Sequence, residues 1–533
     1  MFPVGLVGDL SANEYLVGGR LTVAGQLKSM LSDYIAPPTT KVHIVPDIRG
    51  FTSELKSLFG RQVIYIEKLF LEKNTVLDES IVKKLFIKYE KRKVTIQEFN
   101  QLIAELNMMY LDQGYIYSGV VIPHQSINAG EIRLLAVESK VSQIEIVGHA
   151  NHHERYIRNL LLKQLKSPLN KQELEIQLDS MQRQLNLKHS TMSLFPGIHL
   201  GEAQLKLVIE EQASERVFLG IDNRRSTATE DARLFLRYGY YNFSGWGESF
   251  DVEWGVNEKF SDYVMSYSVP LFNSAVNFSS YFVRSDEYII ERSIDTLASN
   301  TYLSGVQLRS KVVANRHLVF QPTIGIEYKD NTTNFYENLS DTLSLATHLI
   351  KVGSSFELIN VKHQFAGRLM NYSGVERIDR NNEGFFSLLS ADIQYWYTLS
   401  KDIFSIKSSA QYGLSELPYT YQFIMGSSQS FWGYGNDVVA RDHGAIISME
   451  YDYRLATSNG YKMWLQPVFR MAKLGNKSQA GVFRASAGLS YKWTQHDKWQ
   501  VSLTYMIPLQ QDEVLNRTIT RSNVNFSMMY RMY

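Results

Sequence analysis

Apolar and polar positions follow two different patterns along this chain, and the change falls near Glu215. From Arg216 to Tyr533, runs such as Ala232–Tyr241 (ARLFLRYGYY), Ser249–Val256 (SFDVEWGV) and Asn523–Met532 (NVNFSMMYRM) alternate the two residue types. Successive side chains of a β-strand point to opposite faces, so each run predicts a strand with one apolar and one polar face. The runs recur about every 20 residues, separated by polar breaks containing Gly and Asn. About sixteen strand candidates follow one another with almost no helical interruption, which predicts a closed antiparallel transmembrane β-barrel. Glu291–Ser299 and Asn334–Ala346 read as long polar loops, and Asn360–His363 as a short turn.

Upstream the period changes. Val23, Ala24, Leu27, Met30, Leu31 and Tyr34 recur at helical spacing, predicting one amphipathic helix over 21–34. Pro37-Pro38 ends it, and Thr39–Gly50 reads as an extended linker, so 1–60 form an N-terminal segment. Residues 61–139 read as a first β-α-α-β-β module. Its strands are Val63–Glu72, Ile116–Ile122 and Glu131–Val137. Its helices are Asp78–Tyr89 and one opened by the capping box Thr95–Glu98, with Phe99, Leu102, Ile103 and Leu106 on one stripe. Residues 140–212 repeat the order: strand Gln143–Val147, helix Glu154–Leu165, a helix after Asn170–Glu173, then strands around Thr191–Phe195 and Gln204–Glu210. Each module places two helices on one face of a small sheet and leaves a strand edge open. The remainder, 213–533, is the barrel.

Composition narrows the chemistry. A formal net charge of +1 gives no basic field for nucleic acid. The 32 Tyr and 27 Phe suit aromatic girdles at membrane interfaces. With no cysteine, disulfides, Cys-zinc sites and thiol catalysis are excluded. The start, MFPVGLVGDLSANEYL, lacks a basic n-region and does not read as a signal peptide. No serine-hydrolase elbow, zincin or P-loop motif occurs, so neither a catalytic residue nor a cofactor is expected. His152-His153 reads as a solvated turn rather than a metal ligand, and Asp222-Asn223 and Asp330-Asn331 as loop polarity rather than calcium oxygens.

Short motifs then fall in a familiar order. Gln113-Gly-Tyr115, Pro123-His-Gln125 and Gly130-Glu-Ile-Arg-Leu134 resemble the first POTRA domain of two-partner secretion transporters, the haemolysin secretion/activation family. Leu194-Phe-Pro-Gly197, Gly201 and Leu205–Glu210 resemble the end of their second POTRA domain. Asp222-Asn223, Asn242–Gly247 and Tyr267-Ser-Val-Pro270 resemble their barrel. The resemblance runs from about residue 61 to the C-terminus.

The resemblance implies an outer-membrane transporter with periplasmic POTRA domains that exports a large partner protein unfolded and without ATP. Such cargo is an adhesin, a haemolysin or a contact-inhibition toxin. It implies contact with outer-membrane lipid, dependence on the barrel-assembly machinery during biogenesis, and a monomer. It makes the 21–34 helix, with Val23, Leu27, Met30, Leu31 and Tyr34, a pore plug. An open sheet edge can take an extended peptide as an added strand, which nominates Ile116, Tyr117, Val120 and Val121, and Thr191, Ser193 and Phe195. The helical stripe from Phe99 to Leu106 reads as domain core instead.

Two positions depart from the family pattern. Its members carry an Arg-Gly-Tyr/Phe tip on a long loop folded into the barrel; here the tip reads Phe431, Trp432, Gly433, Tyr434, Gly435. The family pairs that Arg with an Asp in a neighbouring strand, and alignment places Met471 there. Losing both charges together is nearly neutral, whereas losing one strands the other. The last strand departs as well: Val524, Phe526, Met528, Tyr530 and Met532 are in phase, with Tyr533 one step beyond. The rival readings are an outer-membrane assembly or insertion factor of the same superfamily, and a passive porin or receptor.

Overall fold

The structure is a computed structural model. It describes residues 40–45 and 63–532, apart from 126, 128, 149–150, 224–231, 259, 272–275, 291–295, 311, 314–317, 336–341, 360–361, 379–381, 426–430, 432, 435–438, 459, 477–480, 497, 511–512, 515–516 and 519–522. The candidate plug helix, Trp432 and Gly435 lie outside the described residues.

Pro37–Gln212 make one compact unit. In its first half, α1 (Glu79–Ile87) starts where the Asp78 carboxylate accepts the Ser80 N–H at 2.7 Å. Helix α2 (Ile96–Asp112) starts at a reciprocal capping box between Thr95 and Glu98. Both satisfy donors that a helix start leaves open. Phe99, Leu102, Ile103 and Leu106 are buried against Ile66, Leu69, Ile132 and Leu134. Each buried aliphatic side chain contributes about 1.5–3 kcal/mol, so this stripe is core. Strand β3 (Lys68–Glu72) lies parallel to β6 (Glu131–Val137), and β5 (Gly119–Val121) antiparallel to it. Strands β2 (Val63–Ile66) and β4 (Arg92–Thr95) form a separate pair.

The second half has β7 (Lys140–Val147), α3 (Glu154–Gln164), α4 (Lys171–Gln184), β8 (Leu187–Pro196) and β9 (Glu202–Glu211). Met192, Leu194, Leu205 and Leu207 pack against Ile157, Leu161 and Leu178 in a second core. The sheet gains a strand from outside the module: β1 (Thr40–Ile44), in the order β1-β8-β9-β7. The segment expected to be a free linker is therefore part of a sheet.

The other unit contains Ala213–Tyr533. Among the described residues, sixteen antiparallel strands close on themselves. They are β10 (Glu215–Asp222), β11 (Arg233–Tyr241), β12 (Ser249–Asn257), β13 (Phe260–Leu271), β14 (Val276–Ile290), β15 (Thr296–Ser310, continued at Val312–Val313) and β16 (Leu318–Phe335). Then come β17 (Thr342–Ile359), β18 (His363–Ile378), β19 (Asn382–Leu399), β20 (Asp402–Gly413), β21 (His443–Ser458), β22 (Tyr461–Gly475), β23 (Val482–Gln495), β24 (Trp499–Pro508) and β25 (Asn523–Arg531). Strands thus reach into both segments expected to be long loops. Thr296–Ser299 belong to β15, and β16 runs to Phe335 before β17 resumes at Thr342.

The alternation sorts the two faces of the wall. Leu234, Ile324, Ile326, Ile350 and Leu369 are exposed, whereas Arg237, Glu253, Glu327, Arg368 and Glu450 are buried. An apolar exterior over a polar interior is what a bilayer requires of a barrel. The seam pairs Phe218–Asp222 of β10 with Arg531–Ser527 of β25. One step on, the Asn223 amide donates to Val524 O and accepts from Phe526 N–H, both at 2.8 Å, prolonging the ladder with a side chain. Val524, Met528 and Met532 are exposed while Asn525, Ser527 and Met529 are buried, so the in-phase set faces outward.

Candidate functional site

The two nominated edges differ sharply in the structure. At the first, only Gly119–Val121 form a strand. Tyr117 has φ 55°, a left-handed conformation that interrupts the expected Ile116–Ile122 run. Ile116 and Tyr117 instead bury themselves in the second module's core. Val120 is fully buried, and its N–H is taken by Asn107 Oδ1 from α2 at 2.6 Å. This edge is too short and too guarded to offer a row of open backbone groups. Of the four residues nominated there, only Val120 and Val121 lie on the strand.

At the second, Thr191, Ser193 and Phe195 alternate with buried Met192 and Leu194 along the ten residues of β8. Here the edge is occupied by the chain itself. Strand β1 runs parallel to β8 from Thr40↔Ser190 to Ile44↔Leu194, and Val45 N–H continues to Leu194 O at 3.0 Å. Phe195 lies past the last β1 pair and is 39% exposed.

The joint between the modules is built from backbone and small polar groups. Ile116 N–H donates to Leu169 O at 3.1 Å, and Lys171 N–H to Gly114 O at 2.9 Å. The Asn170 side chain accepts the Gln172 N–H at the start of α4 and donates to Gln113 O, each at 2.9 Å. Fully buried Ser139 receives the Leu169 N–H at 2.9 Å and the Ser118 hydroxyl at 2.9 Å. His152, expected to be solvated, is 4% exposed, and its Nδ1 lies 2.9 Å from Glu211 Oε1. Burial raises the Glu211 pKa, but hydrogen bonds from the His152 side chain and the His152 and Asn151 N–H groups outweigh it, leaving the carboxyl below its ordinary value. Nothing in the sequence marks this pair, because its members lie 59 residues apart.

In the barrel, the segment between β20 and β21 folds against the inner wall at two places. Its first part buries Leu417 and Tyr421 among Leu349, Met370, Tyr372, Phe386 and Leu388 of β17–β19. Lys329 Nζ of β16 donates to Thr420 O at 3.1 Å, and the Thr420 hydroxyl to Glu376 at 3.1 Å. Its second part buries Phe431 and Tyr434 with Met425 against Ala472 and Leu474 of β22. The Tyr434 hydroxyl donates to Ala485 O at 2.8 Å, and the Arg484 guanidinium lies 4.8 Å over its ring. Such a desolvated cation–π contact is worth about 2 kcal/mol. Gly433 between them has φ +113°, and a Cβ there would meet Ser486 Cβ at 2.9 Å, so only glycine fits.

Met471 is not opposite this tip. In β22, Phe469 and Lys473 are exposed whereas Ala472 and Leu474 are 2% and 1% exposed. Alternation therefore puts Met471 on the outer face, and the residue facing the tip is its neighbour Ala472. Met471 is therefore not placed to partner the tip. Arg484 and Ala485 of β23 engage the tip as well.

Asp222, read as loop polarity, is the 2%-exposed end of β10. Arg233 Nη2 lies 3.2 Å from it and 3.3 Å from Glu253, and Arg233 Nη1 lies 3.0 Å from Asp262. Among the described residues, no three His, Asp or Glu side chains are grouped to hold a metal, and no helix is long and apolar enough to cross a membrane. The latter says nothing about strands.

A closed sixteen-stranded barrel preceded by POTRA-type α/β modules defines an outer-membrane protein of the polypeptide-transporting class. The model of the POTRA domain, ShlB-type, matches residues 64–139, and that of the haemolysin secretion/activation protein ShlB/FhaC/HecB matches 201–467. The chain belongs to this family: it is a two-partner secretion transporter of the outer membrane that exports an exoprotein, with its POTRA domains in the periplasm. The heme/hemopexin transporter protein HuxB of Haemophilus influenzae (strain 86-028NP) is 20% identical over 405 residues, covering 69% of this chain and 68% of that one. The outer membrane transporter CdiB of Dickeya dadantii is 22% identical over 188 residues, 35% of this chain and 33% of that one. The solved structure of CdiB from Escherichia coli aligns with TM-score 0.72 at 15% identity, over 95% of this chain and 96% of that one. That likeness concerns the fold.

Proposed function

We propose that this transporter captures an extended segment of its exoprotein as an added strand on β8 and then threads the chain through the barrel. One observation carries this reading: β1 already lies along β8 as a parallel strand. The edge thus accepts an extended peptide, and backbone pairing makes few demands on cargo sequence. Buried Met192 and Leu194 beneath the edge favour cargo with apolar residues at alternate positions. Thr191, Ser193 and Phe195 set the opposite face, and Phe195 gives a strand longer than β1 further contact. Strand β1 leaves before cargo binds.

The cargo is an adhesin, haemolysin or contact-inhibition toxin. With no ATP-binding motif in the chain, its folding outside the cell gives export its direction. The segment from Leu414 to Asp442, anchored through Phe431, Gly433 and Tyr434, gates the lumen, and the 21–34 helix plugs it at rest. The barrel closes on itself and works as a monomer. It contacts outer-membrane lipid and is inserted by the barrel-assembly machinery.

The chain has no cysteine, so a staple between β1 and β8 is clean to test. His43 and Ser193 are register partners. Co-expression of His43→Cys/Ser193→Cys with an exoprotein encoded beside it should retain that exoprotein in cells under oxidising conditions and release it on reduction. Equal release in both conditions would remove the capture reading. Deleting 21–34 should raise conductance in planar bilayers; unchanged conductance would remove the plug.

A further inference from the structure

We infer that Tyr117 is a main-chain-reading clamp for any strand paired in parallel on β8, the exoprotein's captured segment included. The inference rests on the capture reading above. In parallel pairing each added residue sends its N–H to one partner residue and receives, at its C=O, the N–H two residues further on. Val45 N–H goes to Leu194 O at 3.0 Å. The donor due at Val45 C=O is therefore the N–H of residue 196, and residue 196 is proline, which has none. The Tyr117 hydroxyl fills the gap: it lies 2.5 Å from Val45 O and 2.9 Å from Leu194 O.

The geometry suits a reversible contact. A phenol has one hydrogen, which can serve either carbonyl, so when the added strand leaves, Leu194 O still receives it. The ring is 8% exposed and packed in the second core, so the hydroxyl is held in place. Tyr117 comes from the first module and β8 from the second, so the clamp exists only while the joint through Leu169, Asn170 and Ser139 holds. On the added strand its hydroxyl meets a main-chain carbonyl, so it adds affinity for any cargo sequence.

The test uses the full chain with residues 39–46 replaced by a Gly-Ser linker, and a fluorescent synthetic peptide of the 39–46 sequence as probe. Tyr117→Phe, which keeps the ring, should weaken peptide binding about fivefold. Adding Pro196→Ala restores the missing N–H and should recover the loss. Unchanged affinity of Tyr117→Phe overturns the clamp while leaving edge capture standing. A loss that Pro196→Ala fails to recover overturns it too, since that marks a packing role. No binding to the parent protein overturns edge capture, and the clamp with it. In the intact chain, Tyr117→Phe should speed hydrogen exchange at the Val45 amide but not along β9; equal rates at Val45 overturn the clamp.

Discussion

The two modules of Pro37–Gln212 each set two helices against a small sheet, yet their edges have different fates. In the first, the edge strand β5 is three residues long, and its central N–H is capped by Asn107. In the second, β8 is ten residues long and carries an added strand over five register pairs. Each buries apolar helix faces against its sheet in a core of its own. What separates a docking edge from an inert one is the length of open backbone and whether a side chain guards it.

The comparison would break most visibly if the modules unfolded apart. Leu106 is fully buried in the first core, so Leu106→Ala should cost about 3 kcal/mol. Amide exchange in α2 and α4 should accelerate together; acceleration in α2 alone would show that the joint transmits nothing. A smaller effect tests the joint itself. Ser139→Ala leaves the buried Leu169 N–H without its acceptor, at about 1–3 kcal/mol. Exchange at Leu169 should rise while the midpoints of both cores shift equally.

Asn107→Ala sharpens the contrast between edges. It uncaps Val120 and should cost about 1 kcal/mol in thermal unfolding. A peptide of the 39–46 sequence should still not dock on β5; measurable docking there would make guarding, rather than length, the deciding factor. The smallest effect is acid sensitivity. The folded Glu211 carboxyl lies below its ordinary value of 4.5. Its contribution is therefore complete above the unfolded value and lost as pH falls through the lower folded one. Glu98 of the first module is held at about 2, chiefly by the Thr95 N–H. Following α2 and the Asn151–His152 turn by NMR during acidification should show the turn loosening first. Simultaneous loss would mean that the hydrogen bonds from His152 and Asn151 hold Glu211 as low as Glu98.

Local signals in the sequence were sufficient for much of this. The Thr95–Glu98 box, the Phe99–Leu106 stripe and the alternation of the last strand depend on near neighbours, and the structure places them as read. Signals failed where partners are distant or faces ambiguous. Nothing in Thr40–Ile44 announces a parallel partner some 150 residues away. Strand ends were lost at Thr296–Ser299 and Asn334-Phe335, where the sequence is too polar to alternate visibly. Met471 was expected to face the tip and lies on the outer face, and in period-two structure a single position reverses the face. His152 looked solvated because the carboxylate that buries it is remote in sequence.

The lumenal segment is fixed on both sides of its own root: near Tyr421 to the β16–β19 wall, and near Tyr434 to the β22–β23 wall. In mechanical terms it is a beam with two supports. On the gating proposed above, releasing either support should leave a cantilever, and with it a conductance level between shut and fully open. Arg484→Ala and Tyr421→Ala should then give different partial levels in single-channel recordings. Both together should give a level above either.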